Sequence, residues 1–228
     1  MSTPDLSSGF YDAWTAMARR LDADPLDIAR VAHAESGLRS TAVDRRSNAG
    51  GLIGFMPHIL TGLGWTGTPE EFRQLSPTEQ VPYVERYYRP YSGMLKNDGL
   101  VYVANFLPSR LPRAAQSDDS FVLTRAGEVY YDSNRILDRD GDGTITVGDL
   151  RRHLTIQNQG PRYATIESEL RARGAGGSMV ARQARSLLVP AVLGLTALGA
   201  WYLYYDRKGI ALRTRTEQKL GRLISAYV

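Results

Sequence analysis

The chain has 228 residues, 43% of them hydrophobic and 23% charged, which is enough for one buried core with a small appendage. Its formal net charge of +4 is unevenly placed: residues 176–228 hold eight Lys/Arg against two Asp/Glu, so the remainder is slightly acidic and any basic character belongs to the tail. No cysteine occurs, which excludes disulfides, thiolate metal sites and cysteine nucleophiles.

The N-terminus, Met1 to Ser8, has neither the basic nor the apolar stretch of a cleavable secretory signal. Beyond it, Phe10, Trp14, Met17, Ala18 and Leu21 form one apolar stripe at helical spacing. Asp24 followed by Pro25 predicts a capped helix start, Ile28, Val31 and Ala32 continue one face, and Gly37 closes the helix. The run 47–51 (Ser-Asn-Ala-Gly-Gly) reads as a turn, and a short apolar helix is expected from Phe55 to Leu60. Ser76-Pro77-Thr78-Glu79 resembles a capping box that opens a helix toward Tyr91. Asp98 is expected to cap a further helix through Leu107, stopped by Pro108. Little period-2 alternation occurs, so the fold class expected is mainly α.

Toward the C-terminus, Asp138, Asp140, Asp142, Thr144, Thr146 and Asp149 stand at the oxygen-ligand positions of an EF-hand loop, with Gly143 at its sharp turn. This predicts a structural Ca²⁺ site over 138–149, with Asp138, Asp140, Asp142 and Asp149 supplying charge and Thr144 a backbone carbonyl; the competing reading is an acidic turn that caps the next helix. Residues 161–185 read as a connecting helix and a flexible linker, the latter carried by the Gly-rich run 171–178. From Ser186 to Tyr205 there are twenty consecutive uncharged, mostly apolar residues, enough at about 1.5 Å per residue to cross a hydrocarbon core of ~30 Å. A single transmembrane helix over 186–205 is expected, with a buried core helix as the alternative, and the basic tail 206–228 suits the cytoplasmic side. That orientation would put residues 1–175, and with them the domain over 1–160, on the outer, periplasmic or wall side.

Glu35 lies seven residues after Ile28 and four after Val31, so a helix places all three on one side. A carboxyl among apolar side chains favours its neutral form, which suits a proton donor. Read alone, the spacing equally fits a glutamate that curls into water at the helix end.

The surrounding residues decide between them. Glu35-Ser36-Gly37, then Ala42-Val43, then Gly50-Gly51-Leu52-Ile53-Gly54-Phe55-Met56-Pro57 resemble the lytic transglycosylase and goose-type lysozyme superfamily, with two motifs at the family's separation. The segment from Tyr130 to Asp149 resembles the closing part of phage-type members, and the likeness covers approximately residues 10–155. The resemblance implies a lysozyme-like helical domain over 1–160 with Glu35 as single catalytic acid and base, and a cleft formed by Ser36, Gly51, Leu52, Ile53 and Phe55. The family's third motif, similar to Ala-Tyr-Asn, is approximated by Tyr102 to Asn105, which makes those two residues cleft candidates. Ile53 stands where the family has Met and Gly54 where it has Gln, so Gly54 can offer substrate only its backbone.

The activity implied is cleavage of MurNAc-β-1,4-GlcNAc linkages in peptidoglycan with 1,6-anhydro products and no catalytic cofactor. The setting implied is a membrane-anchored or phage-particle enzyme for local cell-wall penetration, with other virion or envelope proteins as possible partners and no nucleic acid. A hydrolytic muramidase, or a glycan-binding structural component of a virion or envelope assembly, are the alternatives. Asp44, the nearest second acid, is expected in a surface ion pair beside Arg45 and Arg46, and His33, His58 and His153 are expected to be packed or solvated.

Overall fold

The computed structural model describes residues 6–175, which lie within one compact unit, Met1–Met179. It is mainly helical, with ten α-helices and one two-stranded sheet among the described residues. The expected membrane segment 186–205 and the basic tail lie outside the described residues; within them, no helix is long and apolar enough to cross a membrane.

Helix α1 (Ser8–Arg20) is started by the Ser7 hydroxyl, which accepts the Phe10 amide, and its stripe of Phe10, Trp14, Met17 and Ala18 is buried. The Trp14 indole donates to the Pro25 carbonyl at 3.0 Å and so fixes the corner into α2 (Pro25–Ser36). There the Asp24 carboxylate accepts the Leu26 amide at 2.9 Å, and Gly37 ends the helix with φ 65°. Ile28, Ala29, Val31 and Ala32 are all fully buried, because α2 is wrapped on several sides by other helices.

Helix α3 (Pro57–Gly62) begins two residues later than expected, since Phe55 is held in backbone pairing with Gly50. Helix α4 (Pro69–Gln74), unforeseen, is capped by Thr68 and Glu71 in the same reciprocal way that Ser76 and Glu79 cap α5 (Pro77–Tyr88). A tight 3₁₀ turn, Arg89–Tyr91, finishes the α5 segment. Helix α6 (Asp98–Phe106) is capped by Asn97, whose side chain accepts the Leu100 amide at 2.9 Å, and not by Asp98 as expected. Asp98 is thereby released for ion pairing.

After the short α7 (Leu111–Ala114) come β1 (Val122–Arg125), α8 (Val129–Asp132) and β2 (Thr144–Thr146). The strands pair antiparallel with Val122 opposite Thr146 and Arg125 opposite Thr144, and an irregularity lies between Val122 and Thr124. Strands of three and four residues leave almost no alternation to detect. Helix α9 (Val147–Gln157) follows directly, with Thr146 and Asp149 as its capping box.

Helix α10 (Pro161–Ala172) corrects the expected boundary at residue 160. It packs on α1 and α2 and buries Tyr163, Ile166 and Leu170, so it belongs to the body and is no mere connection. The run expected to begin a linker at Arg171 is helical through Ala172, and Ala175 is buried; residues 176–178 lie outside the described residues. At the centre, the Asp98 carboxylate accepts Arg30 of α2 at 3.0 Å and Arg151 of α9 at 3.1 Å, while Arg30 also reaches the Tyr163 hydroxyl of α10 at 3.2 Å. One buried carboxylate of α6 thus ties α2 and α9, and Arg30 extends the link to α10.

Candidate active site

The last turn of α2 carries Glu35 and Ser36 to the floor of an open cleft of about 290 Å³, whose walls include Arg39, Asp44, Gly50 and Gly54. Opposite the helix end stands a small double hairpin: Gly50 pairs with Val43 on one side and with Phe55 on the other, where the two amide–carbonyl bonds measure 2.8 and 3.0 Å. Glycine is required at position 50 because a Cβ there would lie 2.5 Å from the Ala42 carbonyl oxygen. The hairpin is tied to α2 by Ser36, whose buried hydroxyl lies 2.7 Å from the Leu52 carbonyl and 3.0 Å from that of Ala32. From the other side Gln80 of α5, fully buried, accepts the Leu52 amide at 3.0 Å and donates to the carbonyls of Ser40 (3.1 Å) and Phe72 (3.0 Å).

As a residue Glu35 is exposed on the cleft, while its carboxyl is set close to Gly54 and to the side chains of Tyr102 and Asn105, which partly desolvate it. That desolvation raises its pKa above the ordinary 4.5, and hydrogen bonds from Tyr102 and Asn105 act against the rise. Its place in the last turn, where the helix carbonyls carry partial negative charge, further disfavours the anion. Tyr102 is only 6% exposed, and its own pKa is raised, first by burial and then by the charge of Glu35, so the hydroxyl remains a donor toward the carboxylate. Gly54 has φ 69°, and a Cβ built on it would lie 3.7 Å from Glu35 Oε2. A side chain at this position would therefore project at the carboxyl, from a backbone conformation that only glycine adopts without strain.

Of the residues expected to line the cleft, Ser36 and Gly51 do so, and Tyr102 and Asn105 meet Glu35. Leu52, Ile53 and Phe55 do not: their side chains are buried in the core, Phe55 packing edge-on against Phe72 and Tyr87. They hold the hairpin to the body and leave its backbone to face the cleft. Asp44 is also corrected. It makes no ion pair among the described residues; its carboxylate accepts the Arg46 amide at 2.8 Å and the Ser47 hydroxyl at 2.9 Å, and the residue lines the same cleft as Glu35.

Sequence reasoning missed Gln80 and Arg39. Gln80 could have been found, since it stands three residues after Pro77 and four before Val84, both buried, and a polar residue on an inward face needs partners. Tyr88, fully buried, is a third: its hydroxyl has no hydrogen-bond partner among the described residues, and burial raises its pKa, with smaller contributions from Tyr87 and Glu35.

In the acidic loop, Asp138, Asp140 and Asp149 each bring one carboxylate oxygen within 4.8 Å of the others. Asp142 turns instead to Thr144, accepting its amide and hydroxyl, each at 2.7 Å. Asp138 accepts the amides of Gly141 and Gly143 and the Tyr131 hydroxyl, as expected of a tightly wound loop. The guanidinium of Arg152 donates to both Asp140 and Asp149 at 2.7 Å, so two of the three acids already share an internal cation. Three converging hard oxygen donors fit Ca²⁺, and Arg152 competes with it. The loop is also less remote from Glu35 than its sequence position implies. Between two of these acids, Arg139 turns inward to the Nδ1 of His153, whose ring lies 6.0 Å from that of Tyr102. Burial and the charge of Arg139 push the His153 pKa down to about 4, so its neutral ring accepts from the arginine.

No protein-family model, curated protein or solved structure matches the chain.

Proposed function

We propose that this domain is a peptidoglycan-cleaving lytic transglycosylase with a lysozyme-like fold, in which Glu35 acts as both acid and base. The observation that carries the reading is the place of Glu35: an exposed residue at the end of α2 whose carboxyl lines a cleft facing the glycine hairpin, 3.7 Å from where a Gly54 Cβ would stand, with Tyr102 and Asn105 beside it and its acidity weakened by partial desolvation. Neutral Glu35 donates its proton to the glycosidic oxygen as the C1–O bond breaks. The resulting carboxylate is stabilised by the Tyr102 and Asn105 hydrogen bonds, which favour the charged form. It then takes the proton from the 6-hydroxyl of the same muramic acid, whose oxygen closes on C1. Protons and bonds balance without water, the product is a 1,6-anhydro sugar, and no cofactor takes part. Ca²⁺ at Asp138, Asp140 and Asp149 would add stability, and a membrane helix over 186–205 would hold the domain at the wall.

Asp44 favours a second reading, a hydrolytic muramidase. A second carboxylate on the wall of the same cleft is what an inverting glycosidase uses to activate water. Incubation of the full-length protein with purified peptidoglycan, followed by mass analysis of soluble muropeptides, separates the two. Anhydro products are expected; products heavier by one water assign the hydrolase, and intact glycan leaves a binding role alone.

A further inference from the structure

Arg39 stands on the cleft wall with Glu35, in the turn that follows α2. Its Nε donates to the Ser36 carbonyl at 2.9 Å, which caps the helix end. Among the described residues no carboxylate pairs with it, whereas Arg73 is taken by Glu70 and Arg30 by Asp98. The Nε bond ties one edge of this exposed guanidinium to the helix end and leaves its two terminal nitrogens without a partner among the described residues. Two such nitrogens form a fork that matches a carboxylate in bidentate fashion, and a neutral sugar has no group that uses it equally well.

We infer that Arg39 forms an anion subsite of this cleft, which selects glycan strands that bear carboxylates over neutral ones. The inference rests on the muralytic reading and names its specificity. Peptidoglycan and a plain N-acetylglucosamine polymer share the same backbone. They differ in the lactyl ether on alternate sugars, which brings a carboxylate either directly, where the peptide is missing, or through the acidic residues of the stem peptide. Glu35 does not compete for the fork while it is neutral, the state that catalysis starts from. Asp44 lines the same cleft as an opposing charge, so the anion is received at the Arg39 end.

The test measures binding by full-length protein carrying Glu35→Gln, expected to slow turnover of its ligand, with and without Arg39→Gln. Three probes are titrated by calorimetry: chitotetraose, a MurNAc–GlcNAc tetrasaccharide with free lactyl acids, and the same tetrasaccharide with stem peptides. Arg39→Gln is expected to weaken the acid-bearing probes about tenfold and to leave chitotetraose unchanged, the size and selectivity of one partly solvated charge-assisted pair. Which of the two acidic probes loses more identifies the carboxylate. Arg39→Lys, which keeps the charge and loses the fork, is expected to recover part of the loss. Equal weakening of all three probes would reduce Arg39 to a helix cap, and no weakening would remove the subsite; both outcomes overturn the inference while the muralytic reading stands. Failure of Glu35→Gln to bind any of the glycans would overturn that reading itself.

Discussion

Glu35 is set by opposing influences, partial desolvation favouring the neutral acid and Tyr102 and Asn105 favouring the anion. Because its folded-state pKa is raised, the group costs nothing below about pH 4.5, where the unfolded chain is protonated too; the cost grows as pH rises from there through the folded-state value. Glu35→Gln is therefore expected to lower activity by roughly 10²–10⁴-fold. It should also melt higher than the wild type at pH 8, with the difference vanishing at pH 4. A folded variant that still cleaves peptidoglycan would remove Glu35 from the chemistry. Tyr102→Phe deletes a donor to the carboxylate, so the alkaline limb of the kcat/KM profile is expected to move to higher pH, with a loss of about tenfold or more, the worth of one hydrogen bond to a charged group. An unmoved limb would show that Tyr102 only packs.

Among the elements, the double hairpin owes its position to buried polar bonds from outside it. Gln80 satisfies the Leu52 amide and two further carbonyls in an interior that water does not reach. Gln80→Leu keeps much of the volume and strands all three groups, so a loss of about 2–4 kcal/mol in urea unfolding is expected. Activity should fall even at low temperature, where the variant is still folded, because Gly54 and the Ser36–Leu52 bond move with the hairpin. Full activity in the folded variant would show that the hairpin holds its place by apolar packing. The acidic loop makes a parallel case. If Asp138, Asp140 and Asp149 take Ca²⁺ in competition with Arg152, the melting midpoint rises with Ca²⁺ relative to chelator, and Asp138→Asn with Asp140→Asn abolishes the rise. Equal midpoints together with no heat of binding would leave the loop as the cap of α9 alone.

At the scale of the whole described body, α2 packs on α1, α6, α9 and α10, and Asp98 is its polar anchor. The carboxylate is almost inaccessible, whereas Arg30 and Arg151 are each about a third or more exposed (side chains 35% and 44%), so water screens part of the pairing. Asp98→Asn leaves two cations facing a neutral amide and is expected to cost about 2–3 kcal/mol, below the full penalty for a completely buried pair. Equilibrium unfolding measures this, and a cost under about 0.5 kcal/mol would place the arginines in effective contact with solvent.

The sequence by itself determined the helices whose ends are written in neighbouring residues. Asp24 with Pro25, Ser76 with Glu79, and the Phe10–Trp14–Met17–Ala18 stripe are local, because a cap needs only the next three amides and a stripe only the helical period. It also singled out Glu35 and the Gly-rich motif facing it. What only the tertiary structure decided are relations between distant segments. Leu52, Ile53 and Phe55 were expected at the cleft, and they turn into the core because the hairpin's apolar side must be buried against α4 and α5, which leaves glycine backbone as the cleft surface. Asn97 and not Asp98 caps α6, and the partners that Asp98 finds instead are arginines 68 and 53 residues away, which no local pattern announces. Asp44, Arg39 and Gln80 acquire their places only when the end of α2, the hairpin and α5 meet, and no periodicity along the chain records that meeting.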